Sequence, residues 1–438
     1  MKKTILAATA ASLMAFSAQA DTVIHITGSS AFRNATITAI QNVMGGAANV
    51  KSAYSSSSGS GVTSTNRAIL QGSIASVPAA GVVTVKCSWS GSTGGIKTVV
   101  QNIAVTTWPS ITNLSAAVNG TPLAFTDATM SYALDTGTFP AETSLADVTM
   151  EDSSQAATGF TTVSLVEQQV GIIAFEWVAG NDSPSTLDNM TPLLAQAVLS
   201  GGAPLSQFTG NPADTKYVYV IGRNFDSGTR LSCLAETGVG VFGGVQHVQG
   251  TVSGTVGTAG SSITTLKLYP AETVLGQAFG IGQSGYSSGS FVSDLLATPG
   301  SSTAATPAGA DQLLFGNGYT VGYIGRADAQ RATKTSAIAG NTAHRMKWNG
   351  YSIANGPIGS NGVPASYNDN LITEGLYSLW EYQNLAYRSS YGTTSPNGKA
   401  VADAIANRIL TVDGALSGTL ISTMNVSKAV EGGVITHL

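Results

Sequence analysis

The sequence predicts an α/β fold with mixed, mainly parallel sheets and helices on both faces. Three strand–loop–helix units carry that prediction. The clearest runs over 217–235. Its apolar run Tyr217 to Ile221 has the character of a strand buried on both faces. Gly222 ends the run, and Leu231, Leu234 and Ala235 fall at helical spacing, so a helix starts near Thr229. The intervening loop holds Arg223, Ser227, Gly228 and Thr229. Free N–H groups and the positive dipole end of a helix meet at such a loop and suit an anion.

The first unit, in chain order, passes from Val-Ile-His-Ile-Thr at 23–27 into Gly28-Ser29-Ser30-Ala31-Phe32. A helix over 33–44 follows, with Ile37, Ile40 and Met44 on one face. The second passes from a strand at 82–87 through Ser90-Gly91-Ser92-Thr93-Gly94-Gly95 into a helix over 96–103. Ile96, Val99, Val100 and Ile103 form its apolar stripe. One Gly/Ser loop before a helix is a weak signal, because serine also caps helices. Three in one chain carry more weight.

Other elements are read more briefly. Residues 45–81 are rich in Gly, Ser and Ala, with 55–61 a surface loop. Residues 104–145 read as strands and turns, and 146–154 as an acidic strand-to-turn segment. A buried strand is expected at 171–178, a helix at 193–199, and a hairpin pairing 245–252 with 262–269. Beyond them come a helix at 291–296, a strand at 319–324 and a helix at 401–410. Trp380 and Tyr382 read as core.

The length of 438 residues allows two ordinary domains. Residues 1–20 read as a secretory signal peptide: Lys2 and Lys3, an apolar stretch from Ile5 to Phe16, then Ala18-Gln19-Ala20. The mature chain is expected in the periplasm. Charged residues make up 10% of the chain and the formal net charge is −4. Without Lys2 and Lys3 it falls to about −6. No basic run is present, which argues against a nucleic-acid partner. Cys87 and Cys233 could form at most one disulfide, and two buried free thiols are the expectation. The four histidines are scattered, His25 inside a strand, and nothing has metal-ligand spacing. No metal or cofactor is expected. No nucleophile has an evident base, so the chain reads as a binding protein without catalysis. The other readings are a secreted phosphatase or hydrolase using Ser227 or Ser92, and a surface adhesin or structural protein.

Several of these stretches resemble one family. Arg223-x-x-x-Ser227-Gly228-Thr229 is similar to the arginine–serine–glycine–threonine loop of periplasmic phosphate-binding proteins, the capture subunits of phosphate ABC transporters. Gly91-Ser92-Thr93-Gly94-Gly95 resembles that family's Gly-Ser-Ser-Gly-Gly loop, and Gly28–Phe32 its N-terminal loop. Ala146-Asp147 to Asp152 resembles its acidic segment, and Gly322-Tyr323-Ile324-Gly325 a later strand. Ala31 stands where the family has threonine and Arg33 where it has proline, and insertions enlarge the chain.

The resemblance implies a two-lobed type 2 periplasmic binding protein that closes on its ligand. Lobe 1 would comprise 21–165 plus 336–438, and lobe 2 residues 166–335. The partners implied are phosphate or a similar anion and an ABC permease, with the chain a monomer. Arg223 would make a bidentate contact, while Ser92, Ser227, Gly228 and Thr229 would donate through hydroxyls and amides. Ser30, Ala31 and Phe32 would donate through backbone amides. Asp152 would accept a proton from protonated phosphate and repel sulfate, with Asp147 or Glu151 as the alternatives. Arg33 would add a second cation or face solvent.

Overall fold

The computed structural model describes residues 21–55, 61–125 and 139–438. The expected leader and most of the serine run at 55–61 lie outside them. The framework is one mixed sheet of twelve strands. Eleven of them are β1 (Thr22–Gly28), β2 (Lys51–Ser55), β3 (Arg67–Ser73), β4 (Val82–Ser88), β5 (Leu123–Phe125), β6 (Val148–Glu151), β7 (Leu165–Ala179), β8 (Ala203–Pro204), β9 (Tyr217–Val220), β10 (Gly318–Gly325) and β11 (Trp380–Arg388). They lie in the order β8-β9-β10-β7-β11-β6-β1-β4-β3-β2-β5, and the short His344–Arg345 strand also pairs β7.

β1 has parallel neighbours on both sides, with Ile24 opposite Val85 and Gly28 opposite Met150. β9 is parallel to β10. These are the apolar strands of the three units, and parallel strands need a crossover, which their helices provide. Antiparallel pairing comes from β2–β3, from β11, and from the insertion pairing Val248–Ser253 with Ser262–Leu268. β2 and β3 replace the irregular Gly/Ser stretch the sequence suggests.

The principal helices are α1 (Arg33–Val43), α2 (Ser92–Gln101), α3 (Pro192–Leu199), α4 (Gly228–Glu236), α5 (Gly289–Ala297), α6 (Arg326–Thr333) and α7 (Pro396–Thr411). Ile37 and Ile40 of α1 and Val401, Ile405 and Ile409 of α7 bury against Ile24, Ile26, Val83 and Val85. A second core joins Trp177, Val218, Val220, Leu234 and Trp380, and a third packs α5 through Val292, Leu295 and Leu296 against Val178 and Ile221. The molecule therefore has two halves on one sheet.

The C-terminal chain contributes to both cores. Met346, Trp348, Ile353, Ile372, Tyr377 and Leu379 belong to the second core around Trp177. Met424 and Val426 join them. Only from β11 through α7 does the C-terminal chain serve the first core, because its apolar side chains cover α1 there. Two strands bridge the halves. β7, at 15 residues, pairs β11 along Leu165–Ala174 and β10 along Phe175–Ala179.

Candidate functional site

The turns after β1, β4, β6 and β9 all open at the seam between the halves. β1, β4 and β6 run parallel to one another and opposite to β9, so their carboxyl ends and that of β9 approach the seam from opposite sides. Ser92 and Asp152 come from the first half; Gly228 and Thr229 come from the second. The Asp152 backbone N–H donates to Ser92 Oγ at 2.7 Å, and Ser92 Oγ in turn donates to the Asp152 carboxylate. Across the seam, Thr229 Oγ1 donates to Asp152 Oδ2 at 3.1 Å, and Ser232 Oγ to the Asp152 carbonyl at 2.9 Å. A Cβ on Gly228 would lie 2.1 Å from Asp152 Oδ1, so only glycine lets α4 approach.

Asp226 makes the reciprocal contact. Its carbonyl accepts from Thr93 N–H at 3.1 Å, and its carboxyl lies against Gly94 in the first turn of α2. Each half thus places an aspartate on the helix start of the other, where the dipole favours negative charge. Burial pushes the Asp226 carboxyl up to about 6, while Arg223 and the Gly94 amide pull it back. This residue is not among the expected site residues. Its signal was its place between Arg223 and Ser227.

Arg223 is 3% exposed. Its Nε donates to the Tyr286 carbonyl at 3.1 Å and Nη2 to the Ser287 carbonyl at 2.9 Å, so the guanidinium is held by backbone. Burial lowers its pKa, opposed by Asp328, Asp152 and Asp226. Arg33, half-buried at the start of α1, donates Nη1 to Asn66 Oδ1. Burial lowers it too, and Asp328 and Arg223 both act on it, so the two cations share one locality. Asp328, missed in the sequence, sits among Arg33, Arg223 and Arg331; burial raises its carboxyl and the arginines oppose that rise. The turn from β10 into α6 that carries it was another strand-to-helix signal.

The remaining expected residues divide. Ser227 Oγ caps α4 by accepting from Arg230 N–H at 3.3 Å. Ala31 N–H is held by Ser29 Oγ at 3.2 Å, and the Phe32 ring is buried against Gly171. Ser30 faces a cavity of about 330 Å³ in the seam, shared with Ser90, Gly94, Asn224, Asp226 and Ser288. Ala31 and Arg33 line a smaller one of about 150 Å³ with Asp328. Of the alternative acceptors, Asp147 receives the His25 backbone N–H at 2.8 Å, and Glu151 is fully buried with its pKa raised well above the usual carboxyl range. Asp152 alone of the three bridges the halves. His25 is held by Asp147 and packs edge-on to Trp108. Cys87 and Cys233 are buried free thiols. Among the described residues no group of three or more His, Cys, Asp or Glu could hold a metal ion, and no helix is long and apolar enough to cross a membrane.

No family model matches the chain, and no curated protein does. Solved structures are similar to it at low identity. An ABC-type phosphate transport receptor from Vibrio cholerae is 10% identical, with 91% of this chain and 99% of that one covered and a TM-score of 0.43. PstS from Borrelia burgdorferi is 12% identical, covering 91% and 98%, with a TM-score of 0.35. A phosphate-binding protein from Stenotrophomonas maltophilia is 14% identical, covering 89% and 90%, with a TM-score of 0.33.

Proposed function

We propose that this chain is an exported solute-binding protein that captures a phosphate-type oxyanion between its halves, for uptake by a membrane permease. The observation that carries the reading is the convergence of Ser92, Asp152, Gly228 and Thr229 from two halves onto one spot, at two helix starts. Arg223, buried and within the field of Asp152, supplies the cation. The anion would take over the hydroxyls of Ser92 and Thr229 and use the amides at the start of α4. Asp152, as a pure acceptor when ionised, would hold the proton of a protonated phosphate. Capture needs no covalent step, and neither serine pairs with an imidazole: Ser92 Oγ bonds Asp152, and Ser227 Oγ caps a helix.

The test is calorimetric titration of residues 21–438, unfolded and refolded to strip any retained ligand, with phosphate and then sulfate. Phosphate is expected to bind and sulfate to give no heat. Silence with both would overturn the reading. Arg223→Ala should weaken phosphate binding by about 2–5 kcal/mol, the usual cost of removing one partner of a buried charged pair. An unchanged isotherm would remove Arg223 from the site.

A further inference from the structure

Ser92, Asp152, Ser227 and Thr229 are, like Arg223, at most 3% exposed. An anion therefore reaches them only when the residues covering the seam part, and the contacts that resist parting set the rate of exchange. Some of those contacts lie within the site, where a ligand replaces them. Others lie outside it, beyond the reach of any anion held there.

One outer set centres on a hairpin of the second half, in which Glu272–Val274 pairs antiparallel with Gln277–Phe279. Leu275 and Gly276 between them both have positive φ, 52° and 80°. That is the tight two-residue turn that strand twist favours, although leucine is uncommon in it. The tip crosses the seam. The Leu275 carbonyl accepts from Lys97 Nζ of α2, and Leu275 lines the seam cavity with Gly94 and Thr98 of the same helix.

Lys97 Nζ also lies 5.6 Å from the centre of the Phe160 ring, within cation–π reach. Phe160 belongs to the turn between β6 and β7, where Gln155 Nε2 donates to its carbonyl at 2.8 Å. Its ring meets Phe225 edge-on at 6.4 Å, and Phe225 packs on Phe279 of the hairpin at 5.5 Å. Leu231, Val274 and Leu275 complete that cluster. Phe225 directly precedes Asp226, so the cluster is seated on the loop that carries the anion site. Parting the halves here costs an ammonium–carbonyl bond and returns apolar surface to water.

We propose that the Glu272–Phe279 hairpin is a latch: its tip, gripped by Lys97 and seated on Phe160 and Phe225, holds the halves together from outside the anion site and sets how fast the seam opens. As a control on ligand exchange this rests on the oxyanion reading above; the opening itself does not.

The Thr93 N–H, bonded to the Asp226 carbonyl across the seam, is the reporter of opening. Its hydrogen exchange is measured in residues 21–438 stripped of ligand, with the amides of the β1–β4 ladder reporting global unfolding. Lys97→Met should speed Thr93 exchange about tenfold, the effect of one hydrogen bond to a charged group, and leave the ladder unchanged. Phe160→Ala should act in the same direction. Lys97→Arg, which keeps a charged donor, should stay near the parent. Stopped-flow release of inorganic phosphate should quicken by the same factor as Thr93 exchange. Thr93 exchange unchanged in both Lys97→Met and Phe160→Ala would overturn the latch. So would ladder amides that quicken equally, or phosphate release that does not follow. Faster Thr93 exchange in a chain that binds no phosphate would leave the latch standing and overturn the oxyanion reading.

Discussion

Asp152 and Asp226 act as a crossed pair, each seated on the helix start of the opposite half. For Asp152 the chemistry is acceptance, so Asp152→Asn gives the site a donor in its place. The variant should admit sulfate, and titration that still shows no sulfate heat would remove this residue from anion selection. For Asp226 the consequence is pH-dependent stability. Its carboxyl has an ordinary value of 3.8 and is pushed up to about 6 in the folded chain by burial. Between those values the unfolded chain has released the proton and the folded chain retains it. Stability therefore falls as pH rises through that window, by up to about 3 kcal/mol. Asp226→Asn should match the parent near pH 4 and exceed it above pH 6.5; melting curves that stay parallel across pH would refute this. At this scale the sequence was legible where a residue type has one use. The Arg223–Thr229 loop and Ser92 announced themselves as donors beside glycines. Asp226 and Asp328 did not, because a carboxylate at a helix start reads as ordinary surface charge until burial is known.

The helix starts work only because the backbone can come close. Gly95, one turn into α2, shows the cost: a Cβ there would lie 2.2 Å from Thr149 Oγ1 and 2.7 Å from the Gly28 Cα. Alanine ordinarily favours a helix over glycine by up to about 1 kcal/mol. Here Gly95→Ala should reverse that sign and destabilise by about 1–3 kcal/mol, measured by urea unfolding, because α2 must move off β1 and β6. A stabilised variant would show that the contact yields. The three strand–loop–helix units were visible because their periodicity changes from buried run to helical stripe within a few residues. β2, β3 and β11 were not. Lys51–Ser55 is short and mixed in polarity, and it becomes a strand by pairing with β3, which in turn pairs with β4. Trp380 reads equally as helix or strand core until its neighbours are placed.

At the scale of the whole molecule, the halves are divided by their cores and joined by β7 and β11. Sequence order says nothing of which apolar surface a returning segment will cover; Trp348 and Tyr377 go to Trp177. The two buried thiols sit one in each half, Cys87 on β4 and Cys233 in α4, and burial pushes both well above the usual thiol range. Neither should react with a thiol reagent in the native chain. Labelling in dilute denaturant would report which half opens first, and rapid native labelling would contradict the packing.

The bridging strand β11 has a consequence for how the chain is made. It lies between β6 and β7, and α7 just after it closes over α1, so the first strand and first helix wait for residues near the far end. Contacts of such long sequence separation form late and slowly. A growing chain is thus unable to complete even its N-terminal half until nearly all of it has been synthesised. A fragment ending at residue 379 should remain unfolded by circular dichroism and rapidly digested by protease, and a stably folded fragment would disprove the dependence. A polypeptide wired in this way stays threadable for most of its synthesis, the state that a narrow export channel would demand of the exported protein proposed above.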